Sequence, residues 1–318
     1  MTSPIPVYLD CDTGVDDAVA LAYLLASPAV EIVGIGTVSG NISAAQAARN
    51  TLDLLTLAGR DDIPVAVGAH DHLDHAYGGG AAWVHGENGI GGVVLPRAER
   101  EPDPRTAAQL LVELSHAHAG TLHIVAIGPL TNLAHALELD PTLPARVDAV
   151  TVMGGAALAP GNITPAAEAN VYNDPQAAAA LLAADWDVTL VPLDATMEHT
   201  MSEEQRGMLL ADPRPFVHAV GEILDHYFDF YLPTYGERTS ALHDPLAAVV
   251  AAGGATPARA PRVPVVVDVS QGPGRGQTIA DLRGQRLGAR DHDGVRIRVV
   301  LEVATPVAPH LIETILAH

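Results

Sequence analysis

The feature that most limits what this chain can fold into is a series of short, continuously apolar segments. Each is followed by an Ala/Leu-rich stretch of helical length. Residues 6–9, 31–37, 63–67, 122–127, 149–153 and 188–193 read as strands, and residues 16–26, 44–58, 106–116, 130–137 and 175–184 as the helices between them. A strand with one wet face alternates apolar and polar side chains. These do not, so both faces are covered, as in parallel strands with crossover helices on either side. The repetition predicts an α/β fold: an open, mostly parallel, twisted sheet with helices on both faces, residues 1–318 forming one domain. Beyond residue 195 the chain reads as more helical, with candidates at 214–231 and 245–252. Two β-rich runs at 263–269 and 295–303 and a closing helix follow. Residues 68–105 are glycine-rich and irregular, the profile of an active-site lid.

Charge then removes whole classes of function. The chain has 38 acidic and 17 basic residues, a formal net charge of −21. Such a surface repels phosphate backbones and anionic bilayers, so neither a nucleic-acid nor a membrane partner is expected. Every basic side chain is arginine; the absence of lysine excludes a lysine P-loop and a Schiff-base mechanism. The single Cys11 precludes an internal disulfide and fits a reducing compartment. The opening residues show no basic segment leading into an apolar stretch, and no apolar run approaches the roughly 20 residues of a membrane span. The expectation is a cytoplasmic protein.

Chemistry concentrates in five places. After the first strand comes Asp10-Cys11-Asp12-Thr13-Gly14-Val15-Asp16-Asp17. Four carboxylates so close repel one another unless cations or donors compensate. Helix capping accounts for one or two of them, with Asp16 and Asp17 in a first helical turn and Gly14 permitting a tight turn. Asp10 and Asp12 remain unexplained by capping, and oxygen donors at this density suit a hard cation, Ca²⁺ or Mg²⁺. Val38-Ser39-Gly40-Asn41 ends the second strand, where ligands collect in open α/β sheets, although Gly-Asn also describes an ordinary turn. Ile127-Gly128-Pro129-Leu130-Thr131-Asn132 follows the fourth strand and doubles as a helix start. Beyond Gly161-Asn162, Glu168 and Asn170 stand two apart, so an extended segment would point both at one polyol. In His243-Asp244-Pro245, Asp244 is also a natural helix cap. His85 sits in the irregular segment.

Together these groups resemble, in order and spacing from Asp10 to Pro245, the inosine–uridine-preferring nucleoside hydrolase family. The resemblance implies hydrolysis of the N-glycosidic bond of ribonucleosides. It implies a Ca²⁺ held by Asp12, Asp17, Asp244 and the backbone carbonyl of Ile127, with Asp12 also the general base. Asp16, Asn41, Asn162, Glu168 and Asn170 match the ribose-binding set, and His243, with His85 nearby, matches the leaving-base side. Histidine rather than tryptophan before Asp244 leans toward an inosine–uridine or pyrimidine substrate, while Trp83 keeps purines open. A homodimer or homotetramer is implied as well. Thr13, where many relatives carry proline, and Ala169, where a bulkier apolar residue is common, depart from the pattern. Two other readings compete. Leu9-Asp10-Cys11-Asp12-Thr13-Gly14 resembles the start of a haloacid-dehalogenase-type phosphatase with Asp10 as nucleophile, although that family usually needs a downstream lysine. A non-catalytic nucleoside- or ribose-binding protein would keep the same pocket.

Overall fold

The computed structural model describes residues 3–285 and 288–317. Seven strands form the main sheet: β1 (Ile5–Cys11), β2 (Val30–Thr37), β3 (Val65–Val67), β4 (Leu122–Ala126), β5 (Val147–Met153), β6 (Val188–Val191) and β12 (Ile297–Val299). Their order is β12-β6-β5-β4-β1-β2-β3, and every pairing is parallel. The expected α/β architecture is the one observed.

Helices cover both faces. On one side α1 (Val15–Ala26), α2 (Ala44–Leu57), α10 (Pro215–Tyr235), α11 (His243–Ala251) and α12 (Val307–Ala317) bury Leu21, Leu24, Leu52, Val220 and Leu246. On the other, α4 (Ala107–Ala117), α5 (Thr131–Leu139) and α7 (Pro175–Ala183) bury Leu111, Leu133, Leu181 and Trp186. Short-range chemistry sets the helix ends. Thr106 and Gln109 form a reciprocal capping box for α4, and Asp174 caps α7 ahead of Pro175. Gly236, at φ 74°, closes α10 in the left-handed conformation. Among the described residues four smaller α-helices complete the set: α3 (Ala82–His85), α6 (Ala169–Asn173), α8 (Leu193–Thr196) and α9 (Glu203–Leu210), the last packed on α10.

The C-terminal third departs from the simple reading. The run 263–269 shrinks to β10 (Val265–Val267), which pairs with β11 (Thr278–Ala280) outside the main sheet. The run 295–303 splits: β12 joins β6, and β13 (Glu302–Val303) pairs with β9 (Pro257–Arg259). A third ribbon joins β7 (Thr200–Ser202) to β8 (Thr239–Ala241). The run 188–193 stops at Val191, because Pro192 has no N–H to give and Leu193 opens α8.

Chain order reverses direction in the sheet at β1: β2 lies on one side and β4 on the other. A crevice therefore opens beyond the carboxyl ends of β1 and β4, the usual ligand position in open α/β sheets.

Candidate active site

Two helix starts meet at that crevice. Asp16 and Asp17 lie in the first turn of α1, and Asp244 in the first turn of α11. One carboxylate oxygen from each falls within 4.8 Å of the others, and all three residues are buried. Asp12, on the loop after β1, accepts from the Asn41 amide at 2.6 Å through Oδ2. Asp17 accepts from the amides of Gly14 at 2.7 Å and Asp12 at 3.2 Å, and from Asn41 Nδ2 at 3.2 Å. Two buried oxygens, Asp12 Oδ1 and Asp16 Oδ1, have no hydrogen-bond partner among the described residues. Burial drives the Asp12 carboxyl up, with Asp17 adding to it; Asp244 is raised by burial and then by Asp16, Asp17 and Asp12. Asp16 is pushed up to about 7 by burial and by Asp17. Four buried carboxyls, two of them with an unpartnered oxygen among the described residues, and an all-oxygen donor set fit a hard dication, whose charge reverses these shifts. The tight trio includes Asp16, expected on the ribose, and does not include Asp12.

Glycines let this cluster close up. A Cβ on Gly40 would stand 2.1 Å from Asp12 Oδ2. At Gly14 it would stand 2.6 Å from His85 Nδ1, and the backbone there is extended (φ −92°, ψ −159°). Gly14 therefore serves close approach rather than the tight turn expected of it. Thr13, the departure from proline, bonds Thr51 Oγ1 at 2.7 Å through its hydroxyl.

A cavity of about 310 Å³ sits above the carboxyls, at the small end of the ~300–1,000 Å³ usual for small-molecule sites. Asp16, Asn41, His85, Ile127, Asn162, Glu168, Asn170, His243 and Asp244 all line it. The segment from Glu168 is helical rather than extended. Glu168 caps α6, accepting from the amides of Asn170, Val171 and Gly155 at 2.9, 3.2 and 3.0 Å. Asn170 Nδ2 donates to the carbonyls of Ile127 (3.0 Å) and Met153 (3.2 Å), and Asn162 Oδ1 accepts from the Ala169 amide at 2.9 Å. The two side chains share the cavity because α6 turns there, not through strand alternation. A larger cavity of about 870 Å³ lies at the start of β5 and β6, by Val147, Asp148 and Asp187, away from the carboxyls. Chemistry, not size, picks the site.

The histidines are neutral. His85 Nδ1 accepts from the Val15 amide at 3.1 Å, at the start of α1, and burial pushes its pKa down to about 3. His243 is pushed down to about 4 by burial. Its Nε2 lies 2.6 Å from the Tyr231 hydroxyl and its Nδ1 2.7 Å from Thr196 Oγ1. His243 lines the cavity, but with both nitrogens engaged its polar atoms act on it only through Tyr231. Burial and Asp16 hold that phenol well above its ordinary range, so it keeps its proton. Its neighbour Tyr227 donates to Asp16 Oδ2 at 3.1 Å. The sequence reading missed both tyrosines. The clue was compositional: all three phenylalanines and three of the seven tyrosines lie in α10, the tyrosines four residues apart.

Asp10 is not a nucleophile in waiting. It has no solvent exposure, and its Oδ2 accepts from Tyr8 Oη at 3.1 Å and Asn132 Nδ2 at 3.0 Å. Like Asp12 and Asp17 it lies outside the cavity lining, and with its Oδ2 held by two donors it is no free nucleophile, which weakens the phosphatase reading.

The profile described as "Inosine-uridine preferring nucleoside hydrolase" matches residues 7–308. Probable uridine nucleosidase 2 of Arabidopsis thaliana is 35% identical over 282 residues, spanning 88% of this chain and 84% of its own length. The pyrimidine-specific ribonucleoside hydrolase RihA of Photobacterium profundum is 37% identical over 241 residues, 76% of this chain and 77% of its own. Among solved structures, a purine-preferring ribonucleoside hydrolase from Gardnerella vaginalis superposes with a TM-score of 0.89 at 30% identity. A plant nucleoside hydrolase does so with 0.87, also at 30%. In both pairs 98% of each chain is covered.

Proposed function

The chain belongs to the inosine–uridine-preferring nucleoside hydrolase family, hydrolases of ribonucleosides, and from that premise we propose a Ca²⁺-dependent enzyme that prefers uridine and related pyrimidine nucleosides. The observation that carries the metal is the pair of unpartnered buried oxygens, Asp12 Oδ1 and Asp16 Oδ1, beside the Asp16–Asp17–Asp244 trio. Asp12, Asp17, Asp244 and the Ile127 carbonyl would hold the ion, with Asp16 at its edge. When bound, a dication supplies the acidification and orientation of a water.

The remaining steps belong to side chains. Asp12, whose Oδ1 accepts no hydrogen bond among the described residues, takes the proton of the attacking water as the water's oxygen adds to C1′ of the ribose. Asp16, Asn41, Asn162, Glu168 and Asn170 hold the sugar hydroxyls, and the ring of carboxylates stabilises positive charge at C1′. As the C1′–N bond breaks, its electrons move to the base, and Tyr231, backed by His243, donates a hydrogen bond to it. His85 closes the cavity beside Asp16. The pyrimidine preference rests on the relatives named for uridine and pyrimidine, and on His243 before Asp244. We read the enzyme as a cytoplasmic homodimer or homotetramer; among the described residues no helix is long and apolar enough to cross a membrane.

A substrate panel tests the reading. Uridine should release ribose faster than inosine, and both far faster than uridine 5′-monophosphate, since the cavity offers carboxylates and no lysine to a phosphate. Equal turnover of uridine and its monophosphate would overturn it.

A further inference from the structure

We infer that Thr196 is a positioning residue for this reaction: its hydroxyl donates to His243 Nδ1 and holds His243 in the tautomer that leaves the Tyr231 proton free for the departing base. The inference rests on the leaving-group assignment proposed above. Thr196 ends α8, a short helix anchored at several points. The Leu193 amide donates to the Gly155 carbonyl at 2.9 Å, and Asp194 accepts from the amides of Ala157 and Leu158 at 2.8 and 2.7 Å. The Thr196 side chain is fully buried and stands 2.7 Å from His243 Nδ1, its one side-chain hydrogen bond among the described residues.

The direction of that bond decides what Tyr231 can do. A neutral imidazole carries one N–H. If it lay on Nδ1, Nε2 would be an acceptor, and the Tyr231 proton, 2.6 Å away, would be spent on it. The phenol would then offer the cavity only lone pairs, useless to a base gaining electrons. A buried threonine hydroxyl has a proton to place, and Nδ1 is the acceptor beside it. With Thr196 donating, the imidazole proton sits on Nε2 and is given to the phenol oxygen. Tyr231 then turns its own O–H toward the cavity, strengthened by the bond it receives.

Thr196→Val keeps the branched shape and removes the donor; Thr196→Ser keeps the donor. In Thr196→Val, kcat for uridine and inosine should fall about tenfold, with KM held within about twofold. Turnover of p-nitrophenyl riboside, whose leaving group needs no such help, should fall no more than about twofold. Thr196→Ser should recover most of the loss. Equal losses on all substrates, as expected if α8 merely props up α11 and Asp244, would overturn the inference, as would failure of serine to restore. ¹⁵N-histidine NMR reads the tautomer directly: His243 should carry its proton on Nε2 in the wild type, and a proton on Nδ1 would overturn the inference. If wild-type protein cleaves no nucleoside, the proposed function fails, while the ¹⁵N spectrum still decides the Thr196–His243 bond.

Discussion

Replacing Asp12 with asparagine keeps the side chain's shape and removes both its basicity and its charge. Every substrate should therefore lose rate together, by the roughly 10²–10⁴-fold typical of acid–base groups, measured as kcat/KM for uridine, inosine and p-nitrophenyl riboside. A substrate-selective loss would move Asp12 to the leaving-group side. His243→Ala should instead separate substrates: uridine and inosine should slow steeply, p-nitrophenyl riboside far less. Equal losses would mean that His243 only packs beside Asp244. On the sugar, 2′-deoxyuridine should react at least roughly tenfold more slowly than uridine, because a missing hydroxyl leaves buried polar groups unpaired. Residues whose chemistry lies in one short stretch were legible in advance: Asp16, His243 and Asp244 line the cavity, Asp17 joins Asp16 and Asp244 in the carboxylate trio, and Asp12 is tied to Asp17 through its own amide. Tyr231 and Thr196 were not, because each meets His243 across 12 and 47 residues of chain and neither belongs to a polar motif.

Between residue and fold, the elements show where pattern reading succeeds. The six predominantly apolar runs of the first two thirds of the chain became strands of the main sheet. β1 extended past its expected end through Asp10 and Cys11, which pair with Gly36 and Thr37; polar residues at the functional end of a strand hide it from an apolar pattern. In the C-terminal third, proximity to a second ribbon decided the outcome: Val299 and Val303 lie four apart yet serve different sheets. Asp174 illustrates an element-scale dependence. It is fully buried, caps α7 through the Ala177 amide at 3.0 Å, and accepts from the Leu73 amide at 2.9 Å and Thr131 Oγ1 at 2.7 Å. Asp174→Ala should destabilise the protein by roughly 3 kcal/mol, a lost cap plus two stranded donors. Denaturant unfolding measures it; a loss below about 1 kcal/mol would mean that those donors find water.

For the whole molecule, four buried carboxyls at the switch point of the sheet make stability, metal and pH one problem. Their folded pKa values are raised, so protonation relieves the cluster and the stability it contributes falls as pH rises above the ordinary carboxylate value of 3.8, for Asp16 through a window that ends at about 7. A bound dication removes that penalty, so the difference in Tm between Ca²⁺-loaded and metal-stripped protein should widen as pH rises from about 4 to 7. A difference independent of pH would separate the ion from these carboxyls. The most direct test is catalytic. Protein stripped with chelator, its metal loss confirmed by elemental analysis, is assayed for ribose release from uridine before and after Ca²⁺ is restored. Activity should vanish with the metal and return in proportion to the Ca²⁺ bound, at one ion per chain; full activity in the stripped protein would contradict the account.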